Sequence, residues 1–288
     1  MEKKPFVSML FNLTLGLAFL SYAAAQGLQD LAVQEPRPMM AIVDQLQEKF
    51  GIAINYEDPP FQNKTDIVDV TNQVQSQRQR EANPNVRILI PRGGALSVAL
   101  GTIRLGQIQD ASVVLERASG LYEAASFPGK FQVSQTTICA FVEPLKVRLT
   151  AGEWTGVQSV LSVPISIVRE KRTAADTLTA ILAAVRKAGG ARIDLAAVPM
   201  VEFASINVEI GGTTEPARNT LMTLFQQMSA SLIPDGRPRT IFSYRLLFDP
   251  GLKYYMLSVA PVPNLEASPA EPIPRTDQTG LFGRRIKK

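Results

Sequence analysis

The 288-residue chain has no histidine, one cysteine and one tryptophan. Without imidazole it lacks the usual general base, the commonest transition-metal ligand and every His-dependent triad. A single thiol, Cys139, closes no disulfide within the chain and builds no thiolate metal centre. Standing between Ile138 and Phe141 in an apolar run, it reads as a small buried hydrophobe. The phosphate-cradling spacings GxxxxGK[ST] and GxGxxG are missing, so Arg92-Gly93-Gly94 and Gly211-Gly212-Thr213-Thr214 are expected to be turns at strand ends. Nor is there a Dx[DN]xDG frame, which makes Glu57-Asp58 and Asp66/Asp69 solvated acidic loops rather than a cation site. Glu35 with Arg37, and Glu170 with Arg172, read as strand-end surface charges of little energetic worth. Asn63-Lys64-Thr65 fits a glycosylation sequon and is read as accidental. No metal or cofactor is expected.

What is present begins with an export signal. Lys3 and Lys4, the apolar run from Phe6 to Leu20 and Ala23-Ala24-Ala25 form the three regions of a secretory signal peptide, with cleavage expected after Ala25. The alternative is an uncleaved anchor, which the intact mass of the exported protein distinguishes. Localisation is therefore read as periplasmic or extracellular, with membrane contact only through the signal segment before cleavage. Without residues 1–25 the balance is 28 basic to 25 acidic residues, part of the excess lying in the last five. Nothing in that charge calls for nucleic acid.

The stretch from Val33 to Pro60 is the unit around which the chain is organised. Met39, Ile42, Val43, Leu46 and Phe50 fall on one helical face, Pro38 opens the helix and Gly51 ends it. Ile52, Ile54 and Tyr56 then alternate as in a half-buried strand. Ile67, Val68 and Val70 suggest a short edge strand, Gln73 to Asn83 a loop, and Arg87 to Pro91 a further strand ended by Gly93-Gly94. Val114, Ala118, Leu121, Tyr122 and Ala125 line a second helix with Asp110 as its cap, before a hairpin turning at Gln135-Thr136-Thr137.

The order then returns. VREKRT at Val168 matches VQEPRP at Val33, and each precedes a helix. Leu178, Ile181, Leu182 and Val185 supply the apolar face, with Thr173 and Asp176 spaced as a capping box and Gly189-Gly190 closing it. Strands at Arg192 to Val198 and Ile206 to Ile210 come next, then a helix opened at Thr214-Glu215-Pro216 and a hairpin turning at Asp249-Pro250-Gly251. The pattern βαββαββ occurs twice, which predicts an α+β protein of two tandem lobes. The expected division is 1–25 signal peptide, 26–145 first domain, 146–162 connector, 163–262 second domain and 263–288 a flexible, Pro-rich basic tail. Contacts are expected to thin between the hairpin ending near Glu143 and the strand starting near Val163, with Trp154 marking that boundary.

Arg37 to Tyr56 (RPMMAIVDQLQEKFGIAINY) resembles the short N-terminal domain shared by secretins and TonB-dependent receptors, in which an "ALxxLAxxTGxxIxY" segment joins a helix to a strand. The likeness covers one unit well and the second loosely, and Lys49-Phe50-Gly51 stands where that family has Gly-Thr. The resemblance implies a fold with two helices held between two small sheets, and an envelope protein whose domain contacts other proteins in the periplasm. Secreted bacterial proteins built on the same arrangement are similar too. The expected function is an exported binding or assembly module with an envelope protein as partner and no catalytic activity. Two alternatives stand beside it: a periplasmic carboxylate-dependent hydrolase or carbohydrate-active protein, and a membrane-tethered structural protein. Because a binding module needs an accessible patch, Tyr56, Trp154, Tyr254 and Tyr255 are the candidate interface residues.

Overall fold

The computed structural model describes residues 30–232, 240–263 and 265. The expected signal segment, its expected cleavage site and nearly all of the expected tail lie outside them. The fold is mixed α+β, with seven helices and four sheets among the described residues.

In the first half, β1 (Asp30–Glu35) leads into α1 (Pro38–Phe50) and β2 (Ile54–Glu57). Proline at the front of α1 costs no hydrogen bond, and Gly51 ends it at φ 63°, a left-handed conformation that glycine adopts without a Cβ penalty. A small polar excursion comes next: β3 (Ile67–Asp69), α2 (Thr71–Val74), α3 (Gln77–Ala82) and β4 (Leu89–Pro91), with β3 and β4 paired antiparallel. The segment expected as a loop thus contains two short helices, the second held by a Ser76/Gln79 capping box. The half is completed by β5 (Gly94–Ala99), α4 (Ile108–Ala124), β6 (Lys130–Gln135), β7 (Ala140–Arg148) and β8 (Trp154–Gly156).

The second half consists, in order, of β9 (Pro164–Thr173), α5 (Ala174–Gly189), β10 (Ile193–Ala197), α6 (Met200–Ser205), β11 (Asn207–Pro216), α7 (Ala217–Ser231), β12 (Ile241–Asp249) and β13 (Tyr254–Val262). The Thr173 hydroxyl accepts from the Asp176 N–H at 3.0 Å as the α5 cap, and Gly190 closes that helix at φ 73°.

Several expectations need correction. The Arg87 to Pro91 strand pairs with β3, and the strand that pairs with β1 is β5, which begins at the supposed stop signal Gly94. Gly211-Gly212 is likewise no turn: β11 runs through it against β9 with a register shift, because a Cβ at Gly211 would stand 2.3 Å from the Arg169 backbone. On α4 the N-cap is Gln107, and Asp110 instead binds Arg104 at 2.9 Å. Its inward stripe runs through Ala111, Leu115, Ala118 and Tyr122, and Leu121 falls beside it, 40 % exposed.

The dominant sheet has the order β10-β13-β12-β2-β7-β6, with β8 added to β7; β1 pairs with β5 and β9 with β11 in two-stranded sheets. It is continuous across the middle of the molecule, because β12 of the second half runs parallel to β2 of the first through Arg245/Tyr56 and Leu246/Glu57. Two apolar clusters nevertheless remain distinct. One gathers Leu31, Met39, Leu46, Ile54, Leu115 and Val142, and the other Leu178, Phe203, Leu224, Phe242 and Leu257. Leu46→Ala and Leu224→Ala, one in each cluster, are expected to cost about 2–5 kcal/mol apiece and to combine additively, as distant sites do. Urea unfolding of the two single variants and the double checks this, and a coupling above about 1 kcal/mol would mean that the shared sheet ties the cores into one.

Candidate functional site at the seam of the central sheet

The boundary between the halves lies at the β2/β12 pair, not around Trp154. The connector turns back as β8 onto β7, with Arg148 opposite Trp154, so that tryptophan lies against the first half alone.

The reason the seam holds is visible in β2. Its alternate residues face two different cores: Ile54 and Tyr56 join the first, while Ala53 packs into the second and Asn55 Nδ2 points at Met222 on α7. Buried on both faces, β2 carries polar side chains that must be satisfied inside the protein. Asn55 Oδ1 accepts from the Tyr244 N–H at 2.9 Å, standing in for part of a ladder. The Asp58 N–H donates to Leu246 O at 2.8 Å. The Asp58 carboxylate accepts from Arg37 Nε at 2.7 Å, the Tyr56 hydroxyl at 2.8 Å and the Phe248 N–H at 3.0 Å, while Arg37 also donates to Phe248 O at 2.9 Å. Arg245 reaches back from β12 to Ile54 O at 2.7 Å and Asp44 at 2.8 Å.

Glu57-Asp58 and Asp66 are therefore not solvated, contrary to the expectation from sequence: Glu57 and Asp58 have no exposed surface and Asp66 is 3 % exposed. Arg37 is equally far from a surface charge of little worth, since it pairs with a fully buried carboxylate. Burial pushes Asp58 up, against the pull of Arg37 and the hydrogen bonds from Arg37, Tyr56 and Phe248. Burial likewise pushes Glu57 up to about 8, although the Ser159 hydroxyl donates to it at 2.6 Å and the Val160 N–H at 2.5 Å. Glu143 on β7 pairs with Arg218 on α7 across the seam. These carboxylates are tied into structural contacts, and none of them lines the hollows that open at Ile138, Cys139, Trp154 or Lys64.

At one end of the seam the surface is apolar and concave. A cavity of ≈ 290 Å³ is lined by Phe50, Leu105, Ile138, Ile241 and Val262, and an adjoining one of ≈ 300 Å³ by Cys139, Met222, Phe225 and Phe242. Ile138 and Ile241 border both, 40 % and 39 % exposed. The strands that meet there come from both halves, so neither half forms this cleft alone. Cys139 behaves as expected in being buried, and burial pushes its thiol up, away from reactive thiolate.

The four aromatic candidates do not converge. Tyr56 and Tyr255 are core side chains, 2 % and 5 % exposed, because β2 is covered on both faces and the even-odd alternation of β13 turns Tyr255 inward. Tyr254 is half-buried under the Arg192 guanidinium, 4.6 Å from its ring centre. Trp154 is exposed at the β8 edge. The residues missed at the cleft, Ile138 and Ile241, are apolar side chains at strand ends, and only the pairing of strands from distant sequence shows them adjacent.

Comparison with protein-family models, with curated proteins and with solved structures returns no match.

Proposed function

We propose that the protein is an exported envelope module that binds another protein, without catalytic activity, and that its halves are tandem βαββαββ units of the kind the sequence resembles. The correspondence of pairings supports the repeat. β1 with β5 answers β9 with β11, and β2-β7-β6 answers β10-β13-β12, with β2 parallel to β7 as β10 is to β13. The observation that carries the binding function is the apolar cleft at Ile138 and Ile241. Large apolar side chains exposed around a concavity are characteristic of docking sites. Two adjoining cavities suit a segment of a partner protein that presents two apolar side chains, rather than one compact ligand.

The test is affinity capture from an envelope extract with the wild-type protein and with Ile138→Asp/Ile241→Asp. Wild type is expected to retain a protein that the variant does not, while both unfold with similar midpoints. Recovery of the same proteins by both, or of none by either, would overturn the assignment.

A further inference from the structure

A second concave surface lies on the first half, independent of the seam cleft. At the edge of the large sheet Lys130 on β6 stands directly opposite Lys146 on β7; Arg148 is two residues further on the same face, and Trp154 on β8 is opposite Arg148. Lys130 Nζ lies 5.3 Å and the Arg148 guanidinium carbon 5.0 Å from the centre of the Trp154 ring. Like charges directly across strands repel, as Lys130 and Lys146 do here. Glu123 pairs with Lys130, and Arg148 meets the buried Asp66 only at 3.5 Å. Arg148 Nε and Asp66 Oδ2 are buried with no hydrogen-bond partner. Such orphaned groups carry a desolvation cost, and their positions call for an explanation.

Around Arg148 two hollows join. One of ≈ 390 Å³ is lined by Glu123, Ser126, Lys130, Arg148 and Trp154, and one of ≈ 510 Å³ by Lys64, Thr65, Arg148 and Thr150. Ser126 is held at φ 58°, an unfavourable conformation for a residue with a Cβ. The combined groove thus offers the part of the Trp154 indole left exposed beside Lys130 and Arg148, hydroxyls from Ser126, Thr65 and Thr150, and cations on Lys64, Lys130 and Arg148, with Lys146 across the strands from Lys130.

We propose that this groove binds an acidic polysaccharide. The electron-rich indole face attracts the polarised C–H groups of a sugar ring, the hydroxyls match those of the sugar, and the row of cations meets carboxylates repeating along the chain. A concave, mostly polar groove with one aromatic platform suits a chain of sugar rings and gives no flat apolar contact to a bilayer.

Trp154 is the chain's single tryptophan, so its emission reads the groove directly. The probe is a hexamer of galacturonic acid, set against cellohexaose, inorganic phosphate and anionic phosphatidylglycerol vesicles. The acidic hexamer is expected to give a saturable, salt-sensitive change that the other three do not reproduce. Lys146→Glu, at an exposed position outside the buried contacts, is expected to weaken that binding about tenfold with an unchanged circular dichroism spectrum. No change with the acidic hexamer, an equal response to phosphate, vesicles or the neutral hexamer, or an unaltered affinity in Lys146→Glu would each overturn the proposal.

Discussion

Arg37→Ala is expected to destabilise the protein by about 3–5 kcal/mol. Asp58, with no exposed surface, would keep the Tyr56 hydroxyl and the Phe248 N–H but lose its counter-charge. An unpaired buried carboxylate costs more than the pair was worth, because the attraction is removed while the desolvation stays. The same substitution removes the donor to Phe248 O and so loosens the seam from both sides. Arg37→Met/Asp58→Asn provides the control. Asparagine keeps an acceptor for the Phe248 N–H and, where Asp58 accepted from the Tyr56 hydroxyl, its NH2 donates to that hydroxyl instead, all without a charge, so the double variant should recover much of the loss. Urea unfolding at pH 7 measures both, and a loss below about 1 kcal/mol for Arg37→Ala would show that the pair acts like an exposed one.

Glu57→Gln is expected to stabilise the protein at alkaline pH and to leave it nearly unchanged at pH 5. The folded protein holds the Glu57 proton up to about 8, whereas the ordinary value is 4.5. Between those values the folded state binds more protons than the unfolded state, so stability falls as pH rises. The contribution is complete below the unfolded value and is lost as pH rises through the folded one. Glutamine does not titrate, and it can accept from Val160 N–H with its oxygen and donate to Ser159 Oγ with its nitrogen. Glu143 and Arg218, the charged groups that act on Glu57, are untouched. At pH 8 the variant should exceed wild type by on the order of a few kcal/mol. Unfolding midpoints at pH 5 and pH 8 decide it, and parallel profiles for the two proteins would mean that Glu57 ionises without penalty.

Much of the local structure was legible in the sequence because its causes are local. The apolar stripe of α1 from Met39 to Leu46, the glycine that ends it, the Thr173 cap of α5 and the alternation in β12 and β13 depend on side chains within a few positions of one another. The mixed α+β class and the inert burial of Cys139 came from the same kind of information. The misreadings share one cause. Gly94 and Gly211 looked like stops, and each lies in a strand where a Cβ would be crowded, by the Phe127 ring at Gly94 and by the Arg169 backbone of the partner strand at Gly211. The glycine was required by a neighbour distant in sequence.

The site separates along the same line. The sequence by itself determined that imidazole and paired-thiol chemistry are absent from the chain and that Trp154 would be its single indole. It could not determine that β12, nearly two hundred residues after β2, would pair with it. That pairing buries both faces of β2 and turns Asn55 and Glu57 from apparent surface residues into interior ones. It makes Arg37 and Asp58 a buried ion pair, and it brings Ile138 beside Ile241 in a cleft. An alternating strand specifies which residues share a face. Only the tertiary structure decides whether water or a second core lies against that face, because the covering side chains come from a part of the chain whose position no local propensity encodes.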